Sequence, residues 1–131
     1  MEKKFVKVGQ LKEGGYLLIE GIACQIKSIE KSKPGKHGAA KARITAVGLF
    51  NNQKKTALMG TTDEGEVPIV LRGNAQVNAV MGDLLNLMDM ESFEIFDASK
   101  PKDVTGIKQG DEVEYMKLDD QVRVLRRKGA E

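Results

Sequence analysis

The sequence predicts an all-β protein built as two small barrels in tandem. Short strand-like stretches recur along its 131 residues, 14 glycines punctuate them, and no window sustains a long 3.6-residue apolar period. Length alone permits one ordinary domain or two small ones. A domain of roughly 60 residues buries only about 60% of its unfolded-chain surface, so two such units need regular, well-paired strands.

In the first half, "KFVKV", "YLLIEG", "IACQIKSIE", "ARITAVGLF" and "KKTALMG" read as strands separated by polar or glycine-containing turns. Ile22, Cys24 and Ile26 alternate with Ala23, Gln25 and Lys27, which places one set inward. The phase then slips, because Ile29 rather than Ser28 is the next large apolar residue, and a bulge or strand end there accounts for it. Further on, Ile44 and Ala46 share one face, Thr45 and Val47 the other.

The division falls at "EVPIVLRGN". Pro68 cannot donate to a sheet ladder and Gly73-Asn74 reads as a turn, so the crossover is placed at 68–73, with domains at 1–70 and 71–131.

The second half repeats the style in "AQVNAVMG", "LLNLMDME", "SFEIFD", "DEVEYMKL" and "QVRVLRRK". Val77 and Ala79 alternate with Gln76 and Asn78, and Val122 and Val124 with Gln121 and Arg123. Asp119-Asp120 suits a tight turn. The stretch between Asp97 and Gly110 is longer and irregular, with room for one helical turn. Five short strands with one long connection suit a small Greek-key barrel of the OB type.

The formal charge of +2 is unevenly spread. Residues 1–70 carry 12 Lys and Arg against 7 Asp and Glu, whereas residues 71–131 carry 9 against 12. Such asymmetry suggests that the first half meets a polyanion. The apolar runs are far shorter than a membrane span or a signal-peptide core, and the single Cys24 fits a reducing compartment. A cytoplasmic protein is expected. Cys24 is expected to be a small buried hydrophobe.

The stretch "KSKPGKHGAAKAR" (31–43) is the richest in chemistry. Pro34-Gly35 and Gly38 bracket Lys36 and His37 between two strands, which predicts a long hairpin with Lys36 exposed at its tip. Over residues 27–43, Lys27, Lys31, Lys33, Lys36, Lys41 and Arg43 stand against Glu30 alone. This finger offers phosphate-binding charge without groups that read bases, so its binding should be salt-sensitive and weakly sequence-selective.

Competing chemistries fit poorly. The P-loop spacing G-x-x-x-x-G-K-[ST] is absent, since His37 follows Lys36. His37 has no paired nucleophile and is read as a loop donor rather than a general base. Cys24 and His37 have no partners at metal-ligand spacing, so no metal is expected.

"SKPGKHGAAKAR" resembles the modification loop of the translation initiation factor 5A family, the hypusine-containing factors. "VPI", "AQV" and "LMDMESFE" resemble later segments of that family in the same order, so the likeness spans nearly the whole chain. Gly35-Lys36-His37-Gly38 is its most specific part. Pro34 looks archaeal-like, where eukaryotic members usually have threonine, and Ala39 departs from the histidine common in eukaryotic members.

The resemblance implies an SH3-like first barrel and an OB-fold second barrel. It implies that Lys36 accepts an aminobutyl group from spermidine through deoxyhypusine synthase, giving deoxyhypusine and in many members hypusine, with no other cofactor. Lys33, Pro34, Gly35, His37, Gly38, Lys41 and Arg43 would then form the modification loop and its contact with RNA or tRNA. It further implies binding to the ribosome and its rRNA near peptidyl-tRNA and, as for bacterial elongation factor P, promotion of peptide-bond formation at stalled sites. The factor itself would not be an enzyme.

Several features stay outside that reading. Phe93, Phe96 and Tyr115 are expected in the core rather than on an RNA-stacking platform. Met81, Met88 and Met90 are expected to fill core gaps. Arg123, Arg126, Arg127 and Lys128 form a basic cluster that suits either ribosomal RNA or a solvated final strand. The alternative to a modified-lysine factor is an unmodified, general RNA-binding protein of two β-barrels.

Overall fold

The structure is a computed structural model and describes residues 1–33 and 40–128. Among the described residues it is all-β apart from one 3₁₀ turn, as expected, and the chain divides into two compact units, Met1–Ile69 and Val70–Glu131.

The first unit contains β1 (Lys3–Lys7), a 3₁₀ turn (Val8–Gln10), β2 (Tyr16–Ile19), β3 (Ile22–Ser32), β4 (Lys41–Gly48), β5 (Lys54–Gly60) and β6 (Glu64–Pro68). β2, β3, β4 and β5 form an antiparallel sheet in chain order, and β1 pairs with β6. This is the SH3-like unit, two half-barrel sheets about one core. Leu17, Ile26, Ala42, Ile44 and Ala46 lie on the inward face with Val8 and Cys24.

The alternation of β3 ends where its sequence phase slips: the register with β4 shifts between Ile26 and Ser28, leaving Lys27 as the extra residue of a bulge. Ile29 then packs against the core. Only the apolar part of "YLLIEG", Tyr16–Ile19, is strand. Glu20 and Gly21 both take positive φ, +53° and +78°, and make the two-residue hairpin turn into β3.

β6 lies just before the expected crossover at 68–73, in a stretch the sequence did not mark as a strand. Glu64, Gly65 and Pro68 are poor strand formers. Pro68 is nevertheless accommodated as the last residue of a strand, opposite Lys3.

The second unit contains β7 (Leu71–Met81), β8 (Leu84–Asp89), β9 (Ile95–Ser99), β10 (Glu112–Leu118) and β11 (Gln121–Lys128), in sheet order β11-β10-β7-β8-β9. A three-strand meander with the fourth strand returning beside the first is the Greek-key OB arrangement. Its core holds Ala75, Val77, Leu85, Leu87, Val113, Tyr115 and Val124.

Four expectations are corrected here. Gly73-Asn74 is no turn but the interior of β7, because a Cβ at Gly73 would lie 2.8 Å from the Tyr115 hydroxyl. The connection between Asp97 and Gly110 has no helical turn; it is irregular, bending at 102–104 and turning at 109–110, and buries Ile107 against the sheet. Phe93 is not core: it sits in the turn after β8 with 67% of its surface exposed, while Phe96 and Tyr115 pack together with ring centroids 5.0 Å apart. Met81 and Met90 are exposed and Met88 only half-buried, since all three lie near strand ends or on outward positions. Among the described residues no helix is long and apolar enough to cross a membrane.

Candidate functional site

The β3–β4 hairpin carries the basic stretch. Its arms stay paired to Ser32↔Lys41, so the register delivers Lys33 and Ala40 to the two sides of the connection. Inward Ala42 and Ile44 are fully buried, which forces Lys41 and Arg43 to the outer face, where both are exposed. Arg43 stands between Glu30 of β3 and Leu58 of β5, and Lys41 between Ser32 and Gly60. Lys31, opposite buried Ala42, emerges on the other side of the hairpin. The cations therefore surround the hairpin rather than forming one stripe.

Both arms are pinned at the base. On the β3 arm, Lys31 Nζ donates to Gly9 O at 2.8 Å. On the β4 arm, the amide of Thr61 donates to Ala40 O at 3.0 Å. The amide of Gly9 donates to Thr61 O at 2.9 Å, which joins the two anchors through the 3₁₀ turn. Asp63 then fixes the 60–63 turn by accepting from the Gly60 amide at 2.9 Å. Gly9, Ala40, Thr61 and Asp63 are site residues that sequence reasoning missed. Apart from the Asp63 carboxylate, the groups they use in these hydrogen bonds belong to the backbone, which leaves no side-chain signature.

Of the predicted site residues, Lys33, Lys41 and Arg43 are exposed near the end of the hairpin. Pro34, Gly35, Lys36, His37 and Gly38 lie outside the described residues. Among the described residues, no group of three or more His, Cys, Asp or Glu is placed to hold a metal ion.

The terminal basic cluster is placed differently. Arg126 meets Glu114 at 2.8 Å, Arg127 meets Asp111 at 3.2 Å, Lys128 meets Glu112 at 3.5 Å, and Arg123 meets Asp103 at 3.6 Å. Each cation has an acidic partner within its own unit, so their charge is locally compensated. The hairpin, with Glu30 its one acidic residue against six Lys and Arg over residues 27–43, carries a local excess of positive charge.

The second unit has its own polar hub. Asp89 accepts from the Tyr115 hydroxyl and from the amides of Glu91 and Ser92. These hydrogen bonds, that of Tyr115 foremost, hold its carboxyl at about 2, and burial with the same contact pushes the Tyr115 hydroxyl up.

Comparison with known proteins agrees with the geometry. A family model described as translation initiation factor 5A-like, N-terminal, matches residues 3–63, the span that contains the hairpin and its anchors. Translation initiation factor 5A of Methanocaldococcus jannaschii is 42% identical over 123 residues, covering 94% of this chain and 93% of the relative. Its counterpart from Methanosarcina acetivorans is 50% identical over 115 residues, covering 87% and 90%. Among solved structures, eukaryotic translation initiation factor 5A from Methanococcus jannaschii matches with a TM-score of 0.90 at 42% identity over 95% of this chain and 94% of that one. An initiation factor 5A family protein from Naegleria fowleri matches with a TM-score of 0.76 at 26% identity over 97% and 99%. Likeness at this level runs through both units and not the basic hairpin alone, and the chain belongs to the translation initiation factor 5A family of translation factors.

Proposed function

We propose that this factor binds the ribosome near peptidyl-tRNA, contacting rRNA as well, and promotes peptide-bond formation at stalled sites through a modified Lys36. The modification is the aminobutyl part of spermidine, attached to the Lys36 amine by deoxyhypusine synthase as its bond to the central nitrogen breaks and 1,3-diaminopropane leaves; the product is deoxyhypusine or, after oxygen-dependent hydroxylation by a further enzyme, hypusine. The factor is not itself an enzyme and works in the cytoplasm.

The observation that supports this reading is the doubly anchored β3–β4 hairpin, which holds exposed Lys33, Lys41 and Arg43 on either side of the segment containing Lys36. An aminobutyl arm lengthens the lysine and gives it two cationic nitrogens, which suits a narrow, phosphate-lined site. Lys33, Lys41 and Arg43 supply sequence-independent attraction to phosphates, while the arm contacts the tRNA acceptor end. Its role is to lower the entropic cost of orienting that end rather than to donate a proton.

The test is rescue of stalled ribosomes in a reconstituted system by modified wild type and by Lys36→Arg. Arginine keeps the charge and cannot carry the arm, so rescue should be lost. Equal rescue by both proteins would favour the unmodified RNA-binding alternative.

A further inference from the structure

The outward face of β8–β9 and the turn between those strands have no part in the reading above. Leu85, Leu87 and Ala98 are buried, so Leu84, Asn86 and Met88 of β8 share the opposite face with Ile95, Asp97 and Ser99 of β9. The register pairs Met88 with Ile95 and Asn86 with Asp97. Asn86 donates to Asp97 Oδ1 at 3.0 Å, a polar rung between apolar neighbours.

Three features distinguish this surface. Among the described residues, four of the ten exposed large hydrophobics fall within it: Leu84, Met90, Phe93 and Ile95. Of the five Asp and Glu in residues 83–99, Asp89 is engaged by Tyr115 and Glu94 by Lys117, which leaves exposed Asp83, Glu91 and Asp97, and the stretch has no Lys or Arg. Phe93 is held at φ +62°, a conformation costly for a bulky side chain. The turn fixes it there: Asp89 Oδ1 accepts from the Glu91 and Ser92 amides at 2.8 and 2.9 Å, and the Phe93 amide donates to Asp89 O at 2.9 Å. A ring presented from a fixed turn loses little freedom on binding.

We infer that this face of the OB unit is a docking surface for a basic protein segment carrying a bulky apolar side chain. OB-folds use the equivalent face for oligonucleotides, with cationic grooves and stacked aromatics. Here exposed Asp83, Glu91 and Asp97 repel phosphate and attract Lys and Arg, while Glu94 is met at 3.1 Å by Lys117 of β10. The exposed Phe93 and Ile95 supply the apolar half of the contact. The site does not depend on modification of Lys36.

The test uses the full ¹⁵N-labelled chain, made in bacteria, with three synthetic peptides of equal length: Lys and Arg flanking Leu and Phe, Lys and Arg flanking Ser, and Glu flanking Leu and Phe. The first should shift amide resonances within 84–99, and the other two should bind at least about tenfold more weakly. Phe93→Asn with Ile95→Thr should weaken the first peptide about tenfold while the remaining spectrum keeps its dispersion. Glu91→Lys, which leaves the apolar residues in place, should weaken it as well. No shift with the first peptide, equal response to all three, preferential shifts by oligouridylate, or concentration-dependent shifts without peptide that mark a second copy would each overturn the inference.

Discussion

The Tyr115 hydroxyl donates to Asp89 Oδ2 at 2.5 Å, and the missing side chain of Gly73 leaves the space in which they meet. A Cβ at Gly73 would lie 2.8 Å from that hydroxyl and 2.9 Å from that carboxylate oxygen. Gly73→Ala should therefore destabilise the second unit by about 1–3 kcal/mol, the range for forcing an extra carbon into a packed site. Urea denaturation followed by the tyrosine signal checks this. A change within about 0.5 kcal/mol, as for an ordinary surface substitution, would contradict it.

The same pair sets a pH dependence. The Asp89 carboxyl is held at about 2, below its ordinary value of 3.8, chiefly by the Tyr115 hydrogen bond and then by the Ser92 amide. A carboxyl depressed in the folded state binds its proton less readily there than in the unfolded chain. Its stabilising contribution is complete above the ordinary value and is lost as pH falls from there through about 2. The gap in urea midpoint between wild type and Asp89→Asn should narrow across that window. A gap that stays constant would show that Asp89 ionisation carries none of the difference.

Cys24 is fully buried in the first unit, and burial pushes its thiol up. The thiolate is the reactive form. Disulfide reagents should modify Cys24 only at the rate at which the first unit opens, and at once in denaturant. Rapid modification of the native protein at neutral pH would place the sulfur elsewhere.

What the sequence reveals and what it conceals differ for physical reasons. Ile44-Ala46 on β4 and Asp119-Asp120 between β10 and β11 are legible because side-chain alternation and turn chemistry are written one residue at a time. β6 and the interior place of Gly73 are not, because both depend on partners far along the chain, Lys3 to Lys7 and Tyr115. At the candidate site, the excess of cations is visible in composition. The anchors at Gly9, Ala40 and Thr61 are not, since backbone groups do most of the holding. Apolarity alone points Phe93 and Met90 to the core, yet it says nothing about burial once a turn carries them outward.

The two basic clusters should separate in binding. Replacing Lys33, Lys41 and Arg43 by Ala should weaken binding to transfer RNA and lower the salt slope by about one for each phosphate no longer neutralised. Replacing Arg126 and Lys128 by Ala should leave both nearly unchanged, because those cations face Glu114 and Glu112. Fluorescence titration at several salt concentrations distinguishes the outcomes, and an equal effect from the two sets would refute the assignment.

Loosening the base of the hairpin should affect delivery of the loop more than folding. Lys31→Met keeps the stem but removes the donor to Gly9 O. Its thermal midpoint should stay close to that of wild type, since one exposed hydrogen bond is worth about 1 kcal/mol or less. Aminobutylation by deoxyhypusine synthase should slow measurably. Wild-type modification kinetics would argue that the anchor has no part in presenting Lys36.

The proposed function rests most heavily on Lys36, and the direct measurement is a peptide mass spectrum of the protein purified from its own organism. The expected result is an aminobutyl increment, with or without a hydroxyl oxygen, localised to Lys36 and absent from protein made in a bacterium without the modifying enzyme. A stoichiometrically unmodified Lys36 in the native protein would contradict it.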